Sequence, residues 1–294
     1  MTDVPVITAV EGAPTVLRMM VGARLRRLRE ACGVSREDAG MAIRASDSKI
    51  SRLELGRVPF RERDLNDLLT LYGFTDPEAR DAFLTLARQA NAAGWWQRDN
   101  DWLPRWFGTF IGLEQAAQLI RSYEPRFVPE LLQTPDYAYA VLKHVHPEEP
   151  DSLIERRVAL QLRRREILSR RDPPAVWFVV EQAALRCPFG GAAVWRAQLE
   201  YLIRAAGAMK TALQVLPDHV GGPAIADGPF TLLRFAEPEV ADVVFAPQLT
   251  YASLLEKRSD TDIYLAVAAR LSVRAAPLDD TERILDELLA AGGT

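Results

Sequence analysis

Cysteine and histidine are scarce: among 294 residues there are two cysteines, Cys32 and Cys187, and three histidines. The cysteines lie far apart, with no CxxC and no Cys/His cluster around either. A disulfide scaffold and a zinc site of recognisable spacing are therefore excluded, and the expectation is two small buried thiols in a reducing compartment. His144 and His146 form a lone HxH followed by Pro147, without a third ligand, and His219 sits in a Gly/Pro-rich loop with no nearby nucleophile. Neither a metal nor any other cofactor is expected. GxSxG, a Walker loop and GxGxxG are all missing, so nothing points to a hydrolase elbow, a P-loop or a dinucleotide fold. No apolar run approaches the ~18 residues of a membrane span, and Met1 to Pro14 lacks a basic region followed by an apolar core. The expected location is the cytoplasm, without membrane contact.

What the chain does contain is an uneven charge. The whole is -4, with 48% hydrophobic and 26% charged residues. Residues 18–63 carry 12 basic and 6 acidic side chains, hence +6, which leaves -10 for the remainder. A basic module on an acidic body points to a polyanion met by one end only. The length suggests two domains.

Val21, Leu25, Leu28 and Cys32 follow one helical face, while Arg24, Arg26, Arg27 and Arg29 are expected to point elsewhere, and Gly33 stops the helix. Ser35 caps a short second helix that runs through Ala39, Ala42 and Ile43, Asp38 standing where a capping box has its acid. Ser46 caps a third, with Ile50, Leu53 and Leu55 inward and Gly56 ending it. A fourth runs from about Asp64 to Tyr72, and a fifth from the Asp76-Pro77 start to about Ala92. These make a five-helix bundle. Four of the six tryptophans (Trp95, Trp96, Trp102, Trp106) crowd residues 94–112, as core packing between domains or as a ligand-stacking wall. Beyond them helices are expected near 113–123, 135–144, 151–171, 192–206, 262–273 and 281–291, and strands near 176–180, 212–216, 230–235 and 240–245. The fold class is mainly α with an α+β C-terminal domain. The divisions expected are an arm over 1–16, a helix-turn-helix domain over 17–93, an aromatic joint over 94–112 and a regulatory or interaction domain over 113–294.

Two short helices joined by a tight turn, inside a basic bundle, are what lays one helix in the DNA major groove. Residues 34–57, VSREDAGMAIRASDSKISRLELGR, fit that pattern, and ISRLELGR at 50–57 gives the sequence its resemblance to the XRE family of helix-turn-helix regulators. The resemblance implies base readout by Asp47, Ser48, Lys49, Ser51 and Arg52, and phosphate contacts by Arg36 and Arg57. Lys and Arg suit the acceptors of guanine, while Asp47 either caps the helix or accepts from cytosine. Two departures concern the turn: Ala39-Gly40 replaces the usual Leu-Ala, and Arg44 replaces the usual glycine.

From Gly94 to about Leu289 the chain resembles the C-terminal domain that follows an XRE module in actinobacterial, antitoxin-like regulators. The resemblance rests on Gly94-Trp95-Trp96, VPELLQTPDYA (128–138), RRREIL (163–168), Glu181-Gln182-Ala183-Ala184-Leu185-Arg186 and GPFTLLRF (228–235). Glu130 stands for a usual Gly, and Phe245-Ala246-Pro247 for a usual Tyr-x-Glu. Glu181 ends a strand as a helix cap or ion-pair partner. The arginines between 156 and 171 form a solvated or partner-facing surface, or an auxiliary DNA contact. The leading expectation is a non-enzymatic, sequence-specific regulator of transcription: a homodimer on double-stranded DNA whose C-terminal domain dimerises and senses a small-molecule effector or a partner. The alternative is an antitoxin-like module that binds a small partner protein, with DNA binding mainly autoregulatory.

Overall fold

The computed structural model describes residues 14–99, 101–208, 211–220, 225–238, 240–248 and 250–292. The chain divides into two compact units, one reaching to Ala116 and taking in 235–241, the other formed by 117–234 and the chain from Asp242.

The N-terminal unit contains the five expected helices: α1 (Pro14–Ala31), α2 (Arg36–Ala42), α3 (Asp47–Glu54), α4 (Glu62–Leu71) and α5 (Pro77–Ala90). Helix α1 starts within the expected arm, whose residues 1–13 lie outside the described residues. Ser35, Ser46 and Asp76 accept from Asp38 N, Lys49 N and Glu78 N, so each satisfies an otherwise unpaired amide of its helix start. Val21, Leu25, Ile50, Leu53, Leu65, Leu68 and Leu69 are buried in one core. A short 3-10 helix (Trp95–Asp99) and α6 (Arg105–Glu114) complete the unit, and the tryptophan-rich stretch packs into it, with Trp96 buried beside Gly94 and Gly112.

Three sequence expectations are corrected in this unit. Arg29 points inward, at 8% exposure, because it lies four residues after Leu25 on the buried face and finds a carboxylate there. Leu55 is exposed, since it sits at the end of α3 where the chain turns toward solvent. Cys32 is exposed just after α1, its thiol donating to Tyr72 O at 3.0 Å, and Cys187, in the other unit, is exposed as well.

Helices α1 and α3 meet backbone to backbone. A Cβ on Gly22 would stand 2.6 Å from the carbonyl oxygens of Leu53 and Glu54, and one on Gly56 2.6 Å from Met19 N. This close approach lets the buried Arg29 reach Glu54 through two hydrogen bonds, Nε to Oε1 at 2.5 Å and Nη2 to Oε2 at 3.1 Å. Its Nη1 donates to Val34 O at 2.9 Å, so one guanidinium ties α1, the loop before α2 and the end of α3. The hydrogen bond that Arg29 donates to Glu54 holds its pKa above the ordinary arginine value.

The C-terminal unit is a six-stranded sheet of order β3-β2-β1-β4-β5-β6. Its strands are β1 (Leu119–Glu124), β2 (Ala175–Glu181), β3 (Thr211–Leu216), β4 (Phe230–Arg234), β5 (Val243–Pro247) and β6 (Ala252–Leu255). β1, β2 and β3 pair in parallel, and β4 to β6 continue antiparallel from β1. Helices α7 (Pro135–Val145), α8 (Asp151–Arg165), α9 (Gln182–Arg186), α10 (Ala192–Ala208), α11 (Arg258–Arg274) and α12 (Thr281–Ala291) accompany the sheet. The mainly helical chain with an α+β C-terminal domain is thus as expected. The helix expected near 113–123 is instead the end of α6 followed by β1, because LIRSYE pairs on both sides with β2 and β4 and tertiary pairing overrides a weak local period. β6 has no counterpart in the expectations. α8 ends at Arg165, where a 3-10 turn (Glu166–Ser169) replaces the expected continuation to Arg171.

Glu54→Ala should lower the stability of the helical unit by ~3–5 kcal/mol, whereas Arg29→Met combined with Glu54→Leu should cost far less, because only the first leaves a buried charge alone. Urea unfolding of the full chain, followed by helical circular dichroism, distinguishes them; equal losses would contradict a buried pair. By the same assay Gly22→Ala should cost ~1–3 kcal/mol through overpacking against immovable carbonyls.

Candidate nucleic-acid interface

The segment between α2 and α3 is built around one unusual backbone. Arg44 has φ 54°, the only non-glycine residue with positive φ among the described residues. Around it Arg44 N donates to Met41 O and Ala45 N to Gly40 O, the paired bonds that close a helix through a left-handed residue. Arg44 therefore does in the left-handed region what a turn glycine does without strain. Gly40 has its own reason: a Cβ there would stand 2.6 Å from Ala45 O. The two departures from the XRE pattern are thus two parts of one tight turn.

After the turn, Ser46 starts α3 and its hydroxyl takes the cap. Asp47 is consequently the first helical residue and not the cap, with its carboxylate at the positive end of the helix and accepting from Ser48 Oγ at 3.4 Å. Ile50 and Leu53 are buried, while Asp47, Ser48 and Arg52 are exposed and Lys49 and Ser51 half-buried. Arg52 Nε donates to Ser48 O at 3.3 Å, laying the side chain back along the helix. Lys49 is engaged with Asp64 of α4, Nζ to Oδ2 at 2.6 Å, and braces α3 against the bundle. Arg36 is exposed at the first position of α2, and Arg57 is exposed just beyond Gly56, whose φ of 65° ends α3. The seven candidate residues therefore lie on α3, just after it and at the start of α2, with Arg29 and Asp64 as supports that the sequence reading did not single out. For Arg29 the spacing from Leu25 was a usable clue; Asp64 pairs across fifteen positions and offered none.

In the C-terminal unit the other candidates take structural places. Tyr123 OH donates to Glu181, and burial, followed by that hydrogen bond, pushes the Tyr123 phenol well above its ordinary pKa. Glu124, at the end of β1, is pushed up to about 8 by burial and then by the charge of Glu130. In the arginine-rich helix, Arg157 makes a double hydrogen bond to Glu149, Arg164 is buried against Glu130, and Arg165 donates to Gln133 O while covering the Tyr201 ring. His144 packs edge-on against Phe189. Among the described residues no three of His, Cys, Asp or Glu are grouped to hold a metal ion, and no helix is long and apolar enough to cross a membrane.

Two family models match the chain. Residues 21–83 match a helix-turn-helix domain, which supports a DNA-binding regulator. Residues 107–287 match a domain of unknown function, DUF5753. Searches of curated proteins and of solved structures gave no match. Since the second match spans more than half of the chain, the protein belongs to the DUF5753 family, with a helix-turn-helix domain in its N-terminal part.

Proposed function

We propose that the protein is a sequence-specific transcriptional regulator of the XRE type, acting in the cytoplasm as a homodimer that lays α3 in the major groove of double-stranded DNA. The observation that carries this reading is the outer face of α3: Asp47, Ser48 and Arg52 stand exposed on a helix whose orientation is held by the buried Arg29–Glu54 pair. Arg52 and Lys49 supply donors for guanine, Ser48 and Ser51 adapt to either donor or acceptor, and Arg36 and Arg57 hold phosphates on the two sides. Lys49 must exchange Asp64 for the base, so its contribution is the net of two contacts. Two copies would read half-sites about one helical turn, ~34 Å, apart.

The C-terminal unit, in this reading, dimerises and receives a signal instead of catalysing a reaction, as in the antitoxin-like actinobacterial regulators that it resembles. Support comes from α11, where Ile263 and Val273 are 62% and 83% exposed on a side shared with the exposed Ala266 and Ala269. Apolar side chains gathered on one outer face of a helix suit contact with another protein chain. The same face favours a second reading, an antitoxin-like module that binds a small partner protein and touches DNA mainly at its own promoter.

Selection of bound sequences from random DNA by the full chain at ~150 mM salt tests the first reading, since purely electrostatic binding falls steeply there. An enriched inverted repeat is expected; no enrichment counts against it. On the selected site Arg52→Ala should cost ~1–3 kcal/mol and relax one base position, while Arg57→Ala should weaken all sequences alike and flatten the salt slope. Equal losses from Arg52→Ala on selected and random DNA would rule out direct readout. Sedimentation should find a dimer that Ile263→Glu with Val273→Glu converts to monomer; a native chain that sediments as a monomer, or a dimer indifferent to both changes, removes the role given to α11.

A further inference from the structure

Arg121 lies in the middle of β1, the third of six strands, and in register it stands between Trp177 of β2 and Leu232 of β4. A charge placed in such a row is costly unless something answers it. Its guanidinium carbon lies 5.7 Å from the centre of the Trp177 ring, which answers part of the charge. No carboxylate does: among the described residues Arg121 makes neither an ion pair nor a hydrogen bond, and its Nε is buried without a partner while the rest of the half-buried side chain keeps contact with solvent.

Arg121 lines a pocket beside its own strand. Trp177 and Phe230 form part of its floor, and Leu271 and Ser272 of α11 close it from above, with no acidic residue in the lining. Its enclosed part holds about 10 Å³, the room of a single water or one ligand oxygen. The wall is held in place: Trp177 Nε1 donates to Gln214 Oε1 at 2.8 Å, and Gln214 Nε2 donates to Ser272 O and Ala276 O at the end of α11. The ring that orients Arg121 is thereby linked to the last turn of the helix that roofs the pocket.

We propose that Arg121 is the anchor of an oxyanion site in the C-terminal unit, which takes the carboxylate or phosphate group of a small molecule. One ligand oxygen enters the pocket and accepts from Nε; a second accepts from an Nη at the mouth, the side-on arrangement in which a guanidinium matches a planar carboxylate or two phosphate oxygens. A bound oxyanion would join β1 to the roof formed by α11, the helix that carries Ile263 and Val273. Oxyanion binding rests on the signal-receiving reading only for this consequence, and it is measured without DNA, so that either fails without the other.

The test is thermal unfolding and tryptophan fluorescence of the full chain titrated with sodium phosphate and, separately, with sodium acetate, each against sodium chloride at equal ionic strength. A saturable rise in the midpoint, about 3 °C at ten times Kd, is expected with at least one of them. A rise with phosphate alone identifies a phosphate head, and one with acetate alone a carboxylate. In either case Arg121→Gln should abolish it, and Arg121→Lys, which keeps the charge but loses the side-on pair, should weaken it at least ten-fold. The variants also separate this site from phosphate held by the basic helix-turn-helix face, which neither change touches. No saturable effect of either anion, or an effect unaltered in Arg121→Lys, overturns the proposal.

Discussion

The helical unit depends on a buried ion pair that has almost no freedom. Arg29 and Glu54 are 8% and 7% exposed, joined by two hydrogen bonds, and the third arm of the guanidinium holds the carbonyl of Val34. In low dielectric such a pair stabilises only when its geometry is good, so the segments that present it must approach in one way. Gly22 and Gly56 make that approach available, since a Cβ at either would stand 2.6 Å from the backbone of the facing segment. The outer face of α3 is thus oriented from the inside. Its exposed residues are free to vary in chemistry because none of them holds the helix in place; Lys49, bound to Asp64, is the exception and serves both sides.

Much of the N-terminal unit was legible in the sequence because its signals are local. Ser35, Ser46 and Asp76 mark helix starts, Gly33, Gly56 and Gly73 mark stops in the left-handed region, and the apolar spacing of Val21, Leu25, Ile50 and Leu53 marks the buried faces. Arg29 was misjudged because charge was taken to outweigh position, although its place after Leu25 already put it on the inner face. Arg44 was visible as a missing glycine but not as a residue that accepts the glycine's backbone. The seven candidate DNA contacts follow from motif position, and the structure supplies their exposure and neighbours.

The C-terminal unit was less legible because its strands are defined by distant partners. LIRSYE at 119–124 has neither clean alternation nor a clean helical period, and it becomes β1 only by pairing with segments near 175 and 234. β6 is four residues long, too short for a pattern. The arginine-rich helix keeps Arg156 and Arg163 exposed, as a solvated face requires, but not all of its arginines. Interleaved Glu155 and Glu166 suggested a solvated face, yet Arg157 and Arg164 find Glu149 and Glu130 on other elements. Arg121 is the reverse case, an ordinary arginine in the sequence that stands out only when the three-dimensional neighbourhood offers no acid.

The inclusion of 235–241 in the first compact unit bears on how the chain is made. The helical core from Val21 to Ala90 draws on residues close in sequence, and contacts of that kind form quickly, as soon as the segment leaves the ribosome. Phe235 and Val240, both buried, arrive only after more than another hundred residues have been translated. Truncation anywhere between residues 116 and 235 therefore removes part of the first unit as well as the second.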